Sequence, residues 1–185
     1  MKHQHSQQGA SLIEVLVAIL ILSFGMLALG AMLSLGVQLP KLAGYRATAA
    51  NLASSHIERI RANPTEFQKL DGKYTVEPLS YDGTFNDIPL ADCIYDQCSP
   101  STLAIMDNAA TQRAIRMALP AGGMLVTCDT GTCSSASYGN LWIVWQEPST
   151  YSSLNHSFSD KCPAEVTDEY NTDPKPRCLY VRFKV

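Results

Sequence analysis

The chain has 185 residues, with 14 Lys and Arg against 17 Asp and Glu and a formal net charge of −3. That length fits one domain beside a membrane segment, and the acidic balance argues against a nucleic-acid footprint, which rests on basic charge. All six cysteines lie beyond residue 90, so a cysteine-free N-terminal part precedes a disulfide-competent remainder.

In chain order, a polar leader gives way at Gly9-Ala10 to an apolar stretch in which Glu14 is the only charged residue between Lys2 and Lys41. The 25 residues from Val15 to Leu39 are uncharged, and about 20 apolar residues suffice to cross a bilayer as a helix. An ordinary secretory signal has an apolar core of about 7–15 residues followed by a small-residue cleavage site. Here the run is longer, and no A-x-A site follows before Pro40. A plain signal anchor explains the length but not Glu14, since a carboxylate costs up to about 2.5–3.5 kcal/mol at mid-bilayer and less near an end. Ser11-Leu12-Ile13-Glu14 also fits a capping box, which would satisfy backbone N–H groups at a helix start and place a negative charge favourably on the dipole. That accounts for a tolerated charge, not for a leader that breaks off at Gly9.

Gly9-Ala10-Ser11-Leu12-Ile13-Glu14-Val15-Leu16-Val17-Ala18 resembles the class III prepilin signal of the type IV pilin superfamily. The resemblance implies cleavage after Gly9 by prepilin peptidase and N-methylation of the new terminus, Ala10. Most members carry phenylalanine there, so Ala10 departs from the commonest form. It also implies that Glu14 neutralises the terminal amine of a neighbouring subunit as helices stack, giving an intramembrane carboxylate a partner. Loss of the leader removes one lysine and lowers the net charge from −3 to −4. Lys2 on one side against Lys41 and Arg46 on the other gives no clear orientation by positive charge.

Gly25, Gly30 and Gly36 interrupt the apolar run. Each weakens a helix by about 1 kcal/mol relative to alanine, while small residues favour close helix packing in lipid. The resemblance implies local melting around Gly25 to Gly30 during assembly, although the proline that many relatives carry near Ala31 is missing. Beyond Pro40, Leu42, Tyr45, Ala49, Leu52, His56 and Ile60 recur at three- and four-residue steps, so the helix is expected to resume with an apolar stripe. Asn63-Pro64 is its expected stop. The expected organisation is a leader at 1–9, a transmembrane and assembly helix at 10–39, its periplasmic half at 40–62, and a disulfide-bonded α+β domain at 63–185.

The segment from Thr65 to Ser101 reads as irregular, with a short strand at Tyr74 to Glu77. Its aspartates Asp82, Asp87, Asp92 and Asp96 lack the alternation of a calcium loop. Ala109 to Leu119 reads as a helix, and Met124 to Cys128, Leu141 to Glu147 and Cys178 to Val185 have strand composition. Strands packed on the long helix give an α+β, type IV pilin-like fold with a small C-terminal antiparallel sheet. The even cysteine set suggests an oxidising compartment. Of fifteen pairings, the spacing suggests the local loops Cys93–Cys98, Cys128–Cys133 and Cys162–Cys178. A zinc site usually needs C-x₂-C knuckles, which are absent.

No catalytic arrangement stands out, and no cofactor or metal is called for. His3 and His5 would leave with the leader. His56 lies on the apolar stripe, and His156 sits among Ser152, Ser153 and Ser157 in a loop-like stretch whose Asn155-His156-Ser157 is a sequon by letter only. Trp142 and Trp145 are three apart on a strand and are expected on opposite faces. Arg61-Ala62-Asn63-Pro64, Arg116 to Gly123, Trp145-Gln146-Glu147 and Arg177 to Val181 resemble the minor-pilin family of type IV pilus modification proteins, PilV. That resemblance implies a non-enzymatic subunit held in the bacterial inner membrane with its C-terminal domain in the periplasm, and in the pilus after assembly. The implied partners are other minor pilins, the major pilin, the inner-membrane assembly platform and a tip adhesin, in support of adhesion and twitching motility. A type II secretion pseudopilin shares the N-terminal logic, and a membrane-anchored periplasmic binding module that never polymerises is the third reading.

Overall fold

A computed structural model of the chain describes residues 11–76, 88, 93–94, 98–147, 160, 162–169 and 176–185. Two compact units meet between Lys41 and Leu42.

In the first unit the described residues belong to one element, the start of helix α1 (Leu12–Ala62). Its apolar side chains, from Leu12 through Phe24 to Leu39, are exposed. The helix runs through Gly25, Gly30, Gly36 and Pro40 without a break. Proline removes one helix N–H donor and crowds the carbonyl four residues back, here that of Gly36, yet the helix continues past it.

The second unit is built on the remainder of α1. Ala49, Ala53, His56, Ile57 and Ile60 are buried, and Tyr45 and Leu52 pack against the same core. A three-stranded antiparallel sheet in the order β1 (Gly123–Cys128), β2 (Gly139–Gln146), β3 (Pro176–Phe183) supplies the opposing surface. Leu141, Ile143 and Trp145 of β2 lie in one apolar cluster with Ala49, Ala53, Ile57 and Ile60. The fold is therefore the expected α+β, pilin-like arrangement of a long apolar N-terminal helix packed on a small antiparallel sheet. Val76 adds an isolated antiparallel bridge to Val126 at the outer edge of β1, where a short strand is expected from Tyr74.

Three features depart from the sequence reading. Helix α2 (Pro64–Phe67) occupies the start of a stretch read as irregular, and α4 (Ala164–Glu169) lies in another. Helix α3 spans Pro100–Ala118, beginning nine residues before the expected Ala109. Its start is set by Ser99, whose hydroxyl accepts from the Thr102 N–H at 3.1 Å, and by Pro100 in the first turn. It ends at Leu119-Pro120, where Ala121 takes a left-handed φ of 45° and a Cβ on Gly122 would lie 2.6 Å from Ile115 Cγ2. Glu66, 1 % exposed, organises the turn after α2: Lys69 Nζ lies 2.5 Å from its carboxylate and the Lys73 N–H donates at 3.2 Å. Burial pushes that carboxyl up, but the Lys69, Lys73 and Ser101 hydrogen bonds together hold it below the usual carboxylate range.

Candidate functional site

The N-terminal candidate begins at Ser11, whose carbonyl accepts the Glu14 N–H at 2.9 Å and the Val15 N–H at 3.3 Å. Glu14 thus sits in the first turn of α1, where the helix dipole favours a negative charge. Among the described residues no hydrogen bond or ion pair reaches its carboxylate, so the capping box is not formed. Two polar residues of the apolar stretch are satisfied within the helix. Ser23 Oγ donates to the Ile19 carbonyl at 2.7 Å, and Gln38 Nε2 donates to Ser34 Oγ at 3.0 Å. That self-sufficiency suits hydrocarbon, where no water is at hand. The segment is long and apolar enough to cross a membrane. A Cβ added at Gly25, Gly30 or Gly36 would meet nothing within 4 Å of this single chain, so contacts inside it give no reason for glycine there.

Gly9 and Ala10, the residues expected at the processing site, lie outside the described residues, as do His3, His5, His156, the Asn155-His156-Ser157 sequon and the four aspartates Asp82, Asp87, Asp92 and Asp96. The disulfides join Cys93 to Cys98, Cys128 to Cys133 and Cys162 to Cys178, the local pairs suggested by spacing. Among the described residues no group of His, Cys, Asp and Glu could hold a metal ion.

His56 is fully buried and not fully satisfied. The Thr111 hydroxyl donates to the Asp107 carbonyl at 2.8 Å, which commits its proton. His56 Nδ1, 2.9 Å from the Thr111 hydroxyl oxygen, must therefore be the donor there, and Nε2 is left as a buried acceptor with no partner among the described residues. Burial, reinforced by the Arg59 charge and opposed by Asp107, pushes the imidazole pKa down to about 4. Around it, Tyr74 Oη donates to Asp107 Oδ2 at 2.7 Å and Arg59 pairs with Asp107 Oδ1 at 3.2 Å, joining α1, α3 and the turn at Tyr74. Burial, and donation to Asp107, push the Tyr74 phenol well above its ordinary value. This is a structural network of buried and partly buried side chains.

The sequence reading missed a buried charge cluster at the end of the sheet. Arg177 of β3, 8 % exposed, lies 3.4 Å from Glu147 Oε2 and 3.2 Å from Asp160 Oδ2, and Arg46 of α1 reaches Asp160 Oδ1 at 3.3 Å. Two cations and two carboxylates balance there. Cys162–Cys178 closes next to it, so charge and covalent bond together tie Glu147, Asp160 and Cys162 to β3 and α1. Glu147 and Arg177 were visible only as parts of the Trp145-Gln146-Glu147 and Arg177 to Val181 segments. Trp145 is buried in the core beneath the sheet, while Trp142 is half-buried on the other face.

A family model described as the prokaryotic N-terminal methylation motif matches residues 4–36. No curated protein and no solved structure matches the chain. The motif implies processing by prepilin peptidase and assembly partners of the pilus type, and with the apolar helix it is consistent with inner-membrane anchoring before assembly. Proteins of this kind are typically structural rather than enzymatic. The chain thus carries the class III N-terminal methylation motif of the type IV pilin and pseudopilin superfamily, on an α+β fold of pilin type.

Proposed function

We propose that this protein is a minor pilin, of the type IV pilus modification (PilV) kind, that joins a priming or tip complex for pilus assembly. The observation that carries the reading is Glu14, a lone carboxylate in the first turn of an uninterrupted apolar helix, within the matched methylation motif. Prepilin peptidase cuts after Gly9, and Ala10 becomes the methylated terminus. The subunit waits in the inner membrane with its disulfide-bonded domain in the periplasm. Glu14 then pairs with the terminal amine of a neighbouring subunit as the helix leaves lipid, and the Gly25 to Gly30 stretch melts to fit the filament. Other minor pilins, the major pilin, the assembly platform and a tip adhesin are its partners, and adhesion and twitching motility the outcome.

Substituting Glu14→Ala in the producing bacterium tests this: surface pili and twitching should be lost while the protein stays in the membrane. Untouched piliation with Glu14→Ala would sink the assembly reading and leave an anchored module. Mass spectrometry of the mature N-terminus is the companion measurement, and an intact leader would remove its basis. The pseudopilin alternative rests on the same motif and predicts loss of secretion rather than of pili.

A further inference from the structure

The sheet face turned away from α1 carries a second, smaller buried cluster on one half and exposed side chains on the other. Alternation along the strands puts Leu125, Thr127, Asn140, Trp142, Tyr180 and Arg182 there, in the cross-strand rows Leu125–Trp142–Tyr180 and Thr127–Asn140–Arg182. One half of this face is closed, because Val166 of α4 and Cys162 pack on Leu125, Val144 and Cys178. The other half is accessible: Tyr138 is 40 % exposed, and the Arg182 and Asp129 side chains are 52 % and 30 % exposed. Trp142 and Tyr180 are half-buried at the seam.

Rings and polar groups alternate across this half. The Trp142 and Tyr180 centroids are 5.1 Å apart with planes inclined at 30°. The Arg182 guanidinium lies 4.1 Å from the Tyr138 centroid, and Lys184 Nζ 5.5 Å from it. Between them runs a hydrogen-bonded ladder. Tyr180 Oη donates to Asn140 Oδ1 at 2.7 Å, Asn140 Nδ2 donates to Asp129 Oδ1 at 2.6 Å, and Arg182 Nη2 donates to Asp129 Oδ2. The Asn140 amide and Arg182 hold the Asp129 carboxyl below its ordinary range, which keeps it an acceptor.

This pattern matches the two-sided chemistry of a sugar ring. The C–H face of a sugar is weakly positive and rests on the negative face of an aromatic ring, while its rim hydroxyls need planar groups that both donate and accept. The ladder leaves such capacity, since a carboxylate accepts at about four sites and a guanidinium donates five N–H groups. Charge narrows the choice. Arg182 and Lys184 face one carboxylate, Asp129, and Lys184 has no ion pair among the described residues. One excess cation on a chain of net charge −3 suits a sugar with a carboxylate. It does not suit a nucleic-acid backbone, which calls for a groove of many cations.

We propose that the face formed by Tyr138, Asn140, Tyr180, Arg182 and Lys184 binds acidic saccharides, with the sugar's apolar face on Tyr138 and a sugar carboxylate at Lys184. This site is independent of Glu14 and of filament assembly. The full chain in detergent micelles, titrated calorimetrically with trigalacturonic acid, should show saturable binding that weakens with salt. The neutral galactose trimer should bind more weakly. Lys184→Ala should weaken the acidic sugar roughly tenfold, the effect of one lost charge-assisted hydrogen bond, and leave the neutral one unchanged. Tyr138→Ala should weaken both, and Arg113→Ala on α3 neither. The exposed Lys184 keeps the test independent of folding, and unchanged melting temperatures verify this for each variant. No binding of either sugar at millimolar concentration, unaltered binding by both site variants, or tighter binding of a ten-nucleotide single-stranded DNA would overturn the proposal.

Discussion

Acid should loosen the second unit through His56, and the size of the effect follows from its burial. The imidazole sits at about 4 in the folded state, against about 6.5 in an unfolded chain. Between these values the unfolded state binds the extra proton, so stability falls as pH falls. The contribution is complete above pH 6.5, declines through the interval, and is flat again below 4. The full span is about 3.4 kcal/mol, and the part between pH 7 and pH 5 about 2 kcal/mol. No discount for solvent screening applies, because His56 has 0 % exposure and its Nε2 has no partner that could take up the charge. For a unit of this size the loss corresponds to roughly 4–8 °C in melting temperature. Thermal unfolding of the full chain in micelles, followed by the fluorescence of buried Trp145 from pH 7 to pH 5, reads this directly. His56→Gln removes the titration and should flatten that slope. An imidazole titrating near 6.5 by NMR, or a His56→Gln slope equal to that of the parent, would refute the reasoning.

Other consequences can be checked by the same unfolding measurements. Arg177→Met takes a cation away from the buried carboxylates of Glu147 and Asp160 and should cost about 3–5 kcal/mol, whereas exposed Arg61→Met, which removes the surface pair with Glu58 and a 3.5 Å bond to the Lys184 carbonyl, should cost under about 1 kcal/mol. Replacing Cys162 and Cys178 by serine opens a loop of sequence separation 16 and should cost about 3 kcal/mol, against about 2 kcal/mol for Cys128 and Cys133 at separation 5. Ala121→Gly should raise stability by up to about 1 kcal/mol, since Ala121 holds a left-handed φ of 45° that glycine adopts freely. Gly122→Ala should lower stability by about 1–3 kcal/mol, because the added methyl would meet the Ile115 side chain and carbonyl.

How much was legible in the residues follows from the range of the physics behind each feature. The second half of α1 was readable because its stripe is a local periodicity, and Ala49, His56 and Ile60 are indeed buried. The three strands were readable from β-branched and aromatic runs bounded by turn residues, to within about two residues at each end. The start of α3 was also locally encoded, in Ser99-Pro100, but the turn-forming residues before it masked that signal. Helix α4 was not legible: six residues carry too little periodicity, and its buried anchor Val166 is defined by the sheet it covers.

By itself the sequence determined the membrane-length helix, the position of Glu14 within the methylation motif, and a domain of strands and disulfides. These depend on composition and on spacings of a few residues. Only the tertiary structure decided which distant groups meet. Arg46 reaches Asp160 across 114 positions, and Arg177 is trapped between two carboxylates because β3 runs beside β2. The histidine acquired its lowered pKa because packing in the core takes its ring out of water, with Arg59 adding to the effect and Asp107 opposing it. The Trp142–Tyr180 pair and the Asp129–Asn140–Arg182 ladder exist because cross-strand register, a property of the closed sheet and not of any one segment, aligns side chains on the same face.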